Sequence, residues 1–391
     1  MPEDKSLARK LAAALIVAAG VCLVAGVYAF SIDNRNVTGR DFIEYWAAEK
    51  QLIQGANPYD VSAIFRMEKA LGMEDNTPKV SMSPPVAFFF ALPLGYMSPK
   101  PALILWLLIM LGATGVSAYL LWMIYGRRDT RLHLLAFAFP PTLACLMAGQ
   151  LGILFLLAFV LFLYLHKSRP WLAGAALLPA ALKPHLFLAC IVVLLLWSAR
   201  RRDFRVVVGF VIALAASCAL TLSLDHNIWQ QYRQLMHSAR IMDVFLPTIG
   251  VALRFLIDRH AKWIEFVPTA LGCAWAAWFY FAHRDRWNWM NEGLLVLLVS
   301  VACSPYSWFS DQALLFPAVL AGMFAAENHR LNWILLALIV AASAPGVILG
   351  IQMPSPFYLW TAPAWLAWYL VATRRKHGAG VANTEMTAMA E

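Results

Sequence analysis

Apolar residues fall in long runs along this chain, and short polar connections separate them. Twelve runs predict helical spans, at 8–30, 101–125, 132–148, 151–166, 171–182, 184–198, 206–224, 265–283, 291–303, 312–326, 331–351 and 357–373. Helices are the reading because a bilayer leaves backbone groups no partner but one another. A full crossing needs about 20 residues, yet several runs are nearer 12–16. Short neighbours meet at Gly149-Gln150 and at Lys183-Pro184. Such joints predict thin or broken helices lining a cavity, where irregular backbone is tolerated at membrane depth. The run Leu11 to Phe30 follows Lys5, Arg9 and Lys10. It is longer than the roughly 7–15 residues of a signal h-region, so it reads as a retained first helix.

Two polar stretches interrupt the pattern. Residues 31–100 form a long external loop with a helical pattern from Asp41 to Gln54, its Phe42, Tyr45, Trp46, Leu52 and Ile53 on one side. A turn at Asn57-Pro58-Tyr59-Asp60 follows, then an aromatic segment, Pro84 to Met97, predicted to lie in the membrane interface. Residues 225–264 form a second external stretch with an amphipathic run, Thr248 to Ile257. No tandem repeat is present. The expected organisation is all-α: one polytopic domain over 1–373, then a small, polar, disordered cytoplasmic tail at 374–391.

Charge orients this arrangement. Of the 31 Lys and Arg, 18 fall on one side with 9 of the 22 Asp and Glu, so the net +9 sits on one face. That asymmetry marks the cytoplasmic side and puts both termini there. The basic clusters (Arg127, Arg128, Arg131; Arg200, Arg201, Arg202, Arg205; Arg374, Arg375, Lys376) lie between apolar runs. They read as anchors near lipid headgroups and not as a nucleic-acid groove. Hydrophobic residues make up 61% and charged residues 14%, against about 25% charged in a soluble domain; membrane lipids must cover this chain. All six cysteines lie inside apolar runs, so no structural disulfide is expected.

Charge at membrane depth is costly and marks function. The exceptions in these runs are Lys183 with His185, and Asp311, all near external span ends. Lys183 is either a snorkelling end-of-helix lysine or a cation at an outer cavity mouth, suited to phosphate. Asp311 is either functional or the N-cap of the next span. Asp41 and Glu44 share a helix face; Asp41 is a base or a cap, and Glu44 a site group or solvated surface. Gln150 is either a polar contact in a cavity or a turn residue. No Gly-rich phosphate loop, HExxH, acidic pair for a nucleotide diphosphate or zinc-spaced Cys/His cluster is present. Neither a metal nor another cofactor is expected.

Four segments resemble a known family. They are Asp41-Phe42-Ile43-Glu44-Tyr45-Trp46 running to Asn57-Pro58-Tyr59-Asp60; Ser83-Pro84-Pro85 with Leu92-Pro93-Leu94; Gly149-Gln150-Leu151-Gly152 followed by Leu182-Lys183-Pro184-His185; and Ser304-Pro305-Tyr306-Ser307-Trp308 followed by Asp311. In order and spacing they resemble the polyprenyl-phosphate-sugar-dependent glycosyltransferases of the GT-C superfamily, family eighty-seven, a group with bacterial mannosyltransferases. The resemblance implies a GT-C membrane fold and an inverting transfer of a hexose or pentose, mannose favoured, from a polyprenyl-phosphate donor to a lipid-linked or glycan acceptor. It implies an external active site on a bacterial inner membrane, with Asp41 as catalytic base. Glu44, Tyr45, Gln150, Lys183, His185, Arg240 and Asp311 are the expected substrate-binding residues. A multi-pass transporter or lipid flippase is the alternative; it requires internal symmetry and a midplane polar site, and the pattern has neither. The topology has a direct check. Cysteines engineered near residues 70 and 380 should label from opposite sides of the membrane; labelling of both from one side would overturn it.

Overall fold

The computed structural model describes residues 37–127, 131–238, 245–326, 330–348 and 353–373. The expected first span at 8–30 and the tail from 374 lie outside the described residues. Within them every regular element is helical. The external loop carries α1 (Phe42–Ile53) and α2 (Val61–Ala70). Then come α3 (Pro99–Ile124), α4 (Pro140–Ala148), α5 (Gly152–Leu165), α6 (Pro170–Ala176), α7 (Leu188–Arg201) and α8 (Arg205–Leu224). The second external stretch holds α9 (Ile228–Ser238) and α10 (Ile249–Ile257). The last elements are α11 (Val267–His283), α12 (Glu292–Ala302), α13 (Phe316–Ala325), α14 (Arg330–Ser343) and α15, residues 361–373.

Each expected span on the described residues has a helical counterpart, but two helices alone, α3 and α8, are long and apolar enough to cross a membrane. Proline explains much of the shortening. Its ring fixes φ and removes a backbone donor, so it starts helices and breaks their interiors. The run 132–148 is a 3₁₀ segment, Leu132–Phe137, then α4 from Pro140. The run 171–182 is α6 followed by a 3₁₀ turn containing Pro179, and Pro184 opens another such turn before α7. The predicted breaks at Gly149-Gln150 and Lys183-Pro184 are therefore real.

The core is one cluster shared by most of these helices, with Trp106, Trp365, Phe155, Phe159, Phe162 and Phe316 almost fully buried. Helices α6 and α8 touch backbone to backbone: a Cβ at Gly174 or Gly209 would collide with the other helix's carbonyl oxygens. Close approach through small residues is how apolar helices gain packing where lipid offers no hydrophobic drive. The outward faces stay apolar: Ile212, Trp263, Leu271 and Trp278 are each more than half exposed.

The segment from residue 37 to 100 packs closely on the helices that follow it. α1 buries Ile43, Ala47, Ala48, Glu49 and Gln51 as well as Phe42, Tyr45, Trp46 and Leu52 of its predicted apolar face, while Ile53 is only partly buried. Beneath it the Pro84–Met97 segment folds into three short helical turns, and Gly95 packs against the Glu49 backbone. This loop is a packed plug against the helices. In the second stretch, a buried Arg254–Glu265 ion pair at 2.6 Å ties α10 to the Lys262–Phe266 turn, and Thr248 caps α10 by accepting from Val251 N.

Candidate active site

The site is assembled where four irregular backbone segments meet. The first is the turn over 37–41 that enters α1. Asp41 stands at the helix start, yet its side chain accepts no bond from the first-turn amides. Its Oδ2 accepts instead from Gln150 Nε2 at 2.6 Å, across 109 residues of chain. The capping reading of Asp41 therefore fails, because the carboxylate is turned to a partner outside its own helix. Its other oxygen has no hydrogen bond among the described residues, and the residue is partly exposed.

The second segment is the break between α4 and α5. Gly149 ends α4 in the left-handed region at φ +72°, which glycine adopts without strain. A Cβ there would also lie 2.7 Å from Phe42 Cβ. The break is held by Trp106 Nε1 donating to Gly149 O at 2.8 Å and by Cys145 Sγ on Gln150 O at 2.8 Å. Gln150 is thus delivered, buried, to α1: its Nε2 serves Asp41, and its Oε1 accepts from Tyr45 OH at 2.9 Å. Gln150 is a turn residue whose side chain also makes polar contacts, to Tyr45 and Asp41. Gly152 lets α5 begin against the backbone of Ser310, where any Cβ would clash.

The third and fourth segments are Lys183 to Phe187 and Ser304 to Asp311. Lys183 Nζ donates to both oxygens of Asp311, at 2.7 and 2.9 Å, with Asp311 fully buried. Asp311 Oδ2 also accepts from Trp308 N at 2.9 Å, so it does cap its own turn while pairing with the lysine. Lys183 is not a snorkelling side chain; it points inward. Its ammonium lies 5.5 Å from the Tyr306 ring centre, and His185 meets the same ring edge-on at 5.3 Å. Trp308 Nε1 donates to Tyr306 OH at 3.0 Å.

The two halves act on one another electrostatically. Burial, then the Asp41 charge, pushes the Glu44 carboxyl from its ordinary 4.5 up to about 8; Tyr45, Lys183 and Lys79 pull it back. Near neutral pH Glu44 is mostly protonated and can donate a hydrogen bond while Asp41 beside it accepts. A carboxyl that keeps its proton one helical turn from a hydrogen-bond acceptor is an arrangement acid–base chemistry can use. The reading of Glu44 as solvated surface does not hold.

Of the expected residues, Asp41, Glu44, Tyr45, Gln150, Lys183, His185 and Asp311 come together, and Arg240 lies outside the described residues. Sequence reasoning missed Lys79, and gave Tyr306 and Trp308 no role although their motif was noticed. Nothing in the local pattern around Lys79 marks it, because residues 74–84 have no helical or strand period. No group of three or more metal-ligating side chains occurs among the described residues.

The model of glycosyltransferase family 87 matches residues 83–305, more than half of the 391-residue chain. That span contains Gln150, Lys183 and His185. No curated protein and no solved structure matches the chain.

Two outcomes follow from this geometry. The folded protein holds the Glu44 proton more tightly than the unfolded chain, so this group's contribution to stability declines as pH rises from about 4.5 through about 8. Glu44→Gln should therefore match wild type in melting temperature at pH 4.5 and exceed it at pH 8.5, by thermal unfolding in detergent. Removing one partner of a buried pair strands the other charge, at a cost of about 3–5 kcal/mol. Lys183→Met should be destabilised on that scale, and Lys183→Met with Asp311→Leu should recover much of the loss; a single variant as stable as wild type would show the pair to be dispensable.

Proposed function

The chain belongs to glycosyltransferase family 87, and we propose that it moves a hexose or pentose, mannose favoured, from a polyprenyl-phosphate donor to a lipid-linked or glycan acceptor. In this reading it is a GT-C type protein of a bacterial inner membrane, with both termini cytoplasmic and the site external. The observation that carries the proposal is the posture of Asp41. One carboxylate oxygen is pinned by Gln150, itself buried and held by Tyr45, while the other has no partner among the described residues.

In the transfer, the acceptor hydroxyl attacks the anomeric carbon from the face opposite the phosphate. The new C–O bond forms as the bond from carbon to phosphate oxygen breaks, so the anomeric configuration inverts. Asp41 takes the hydroxyl proton, and the polyprenyl phosphate leaves with the bonding pair. A base needs only to come within about 3 Å of that hydroxyl. Gln150 holds the carboxylate's orientation, so little reorganisation accompanies proton transfer. Protonated Glu44 donates to a sugar hydroxyl. Lys183 and His185, beside Tyr306, line the donor side. The sugar–phosphate bond supplies the driving force.

A lipid-linked donor also needs an apolar trough beside the chemistry. A groove of about 470 Å³ is lined by Ile249, Ala252, Leu253, Leu256, Pro356, Leu359, Trp360 and Pro363. Both its walls attach to the segment that carries Asp311. Thr248 Oγ1 donates to Pro305 O at 3.3 Å, and Gln312 Nε2 donates to Thr361 Oγ1 at 2.8 Å. The exposed apolar side chains of α8 and α11 favour a bilayer as the surrounding medium.

The test is turnover of a radiolabelled polyprenyl-phosphate sugar by purified protein with membrane lipids. Asp41→Asn keeps an acceptor for Gln150 and should melt within a degree or two of wild type. Its turnover should fall at least ~100-fold, since general-base catalysis contributes about 10²–10⁴. Near-normal turnover would remove Asp41 from the mechanism and direct attention to Glu44 or Asp311.

A further inference from the structure

Lys183 is the cation that sequence spacing favours for a donor phosphate, but its charge is already matched. Both oxygens of Asp311 sit on its ammonium, with Tyr306 covering it. An incoming phosphate would have to compete with a bidentate carboxylate in a dry setting, where ion pairs are strong. Arg40 is buried and donates to Leu146 O at 2.9 Å, holding the entry turn to α4.

Lys79 differs from both. Its Nζ has one hydrogen bond among the described residues, to Thr38 O at 3.2 Å, three positions before Asp41. That is long for a charged donor, whose bonds usually measure about 2.7–2.9 Å. Two of its three N–H groups are uncommitted among the described residues. It forms no ion pair among the described residues, and its side chain is partly exposed. It nevertheless acts on the centre, since its charge is felt at Glu44. The neighbouring carboxyl does not consume that charge, because Glu44 is mostly protonated near neutrality.

The backbone holding Lys79 is built with care. Both oxygens of Glu68, a fully buried residue, accept the Lys79 amide at 3.2 Å each. Burial pushes the Glu68 carboxyl up to about 7, and the Lys79 amide pulls it down. Four residues on, Tyr59 OH donates to Ser83 O at 3.0 Å. A segment without regular structure is thus fastened on both sides of one lysine. Around the site the Asp41 and Asp311 carboxylates are balanced by Lys183 and Lys79. Removing Lys79 would make the centre less attractive to an anionic substrate.

We propose that Lys79, held by Glu68 and resting on the Thr38 carbonyl beside Asp41, is the ammonium that binds the phosphate of the lipid-linked donor. The proposal rests on the donor class given above. In the resting enzyme Lys79 is parked on the carbonyl; with donor bound, it turns its free N–H groups to phosphate oxygens. Lys183, paired with Asp311, keeps the rest of the donor side in place.

Binding of a polyprenyl phosphate, the leaving group of the proposed reaction, tests this with full-length protein in detergent or nanodiscs. The matching polyprenol reports on the hydrocarbon alone, and inorganic phosphate reports on free anion. Lys79→Met should weaken polyprenyl phosphate at least ~10-fold while leaving polyprenol binding and melting temperature unchanged. Lys79→Arg should stay within about threefold of wild type. Inorganic phosphate at the same concentration should not displace the lipid phosphate; if it does, the site binds free anion and the donor assignment is wrong. Equal affinity of wild type and Lys79→Met for polyprenyl phosphate would overturn the proposal, as would a parallel loss of polyprenol. Failure of wild type to bind polyprenyl phosphate at all is a separate result: it overturns the donor class, and this inference with it.

Discussion

The Lys183–Asp311 ion pair joins the two parts of the polypeptide on which the site depends. It closes a loop of 128 residues between segments that have no helix to hold them. The cost of burying two charges is met only where geometry is close to ideal and the remaining lone pairs are satisfied. Both conditions hold: the ammonium meets both oxygens, and the Trp308 amide takes a further bond. From this anchor Tyr306 and Trp308 are oriented, His185 finds its ring partner, and α5 starts against Ser310. An apolar pair of the same volume would hold these segments together too. It would not place the Lys183 charge where Glu44 feels it.

The second constraint is that backbone departing from helix inside an apolar protein must find its partners elsewhere. Each break at the site shows how. At Gly149-Gln150 the freed carbonyls are taken by an indole and a thiol. At Ser304 the hydroxyl donates to Tyr306 O at 2.8 Å. The indole comes from α3, so the break at Gly149 is also a tie between elements, whereas Cys145 and Ser304 satisfy their own stretch of chain. Catalytic geometry then needs little extra support, since the residues at the breaks are already fixed by satisfying the chain.

Much of this was legible in the sequence, and the illegible part has a common cause. Apolar runs identified the helices, and the rarity of charge within them singled out Lys183, His185 and Asp311. Gln150 between two glycines stood out for the same reason. Each alternative weighed for these residues was local: a snorkel, a cap, a turn. Their partners lie 109 and 128 residues away, beyond any periodicity argument. Proline positions at 140, 141, 179 and 184 carry the signal that would have shortened several spans. Lys79 was not recoverable, since its role arises from Glu68 and Thr38 and from no pattern of its own. The burial of Glu44 was hidden because α1 reads as amphipathic, while the Pro84–Met97 segment, which packs under it, reads as interfacial.

The distribution of protons follows from this architecture. Asp41 and Glu44 lie one turn apart on one helix, but their surroundings differ. Asp41 sits at the helix start, with an amide donor from Gln150 on one oxygen and open surface beside the other. Glu44 is one turn deeper, where burial dominates and the neighbouring charge works against ionisation. On an exposed helix Glu44 would lose the burial that holds its proton and would not be suited to donate. Packing residues 37–100 against the helices is what gives the two side chains different surroundings. The cost is an acid kept above its ordinary range in the folded state, which lowers stability at alkaline pH. A protein selected for stability alone would place glutamine or an apolar residue there, so an ionisable group retained at that depth fits a site shaped by its chemistry.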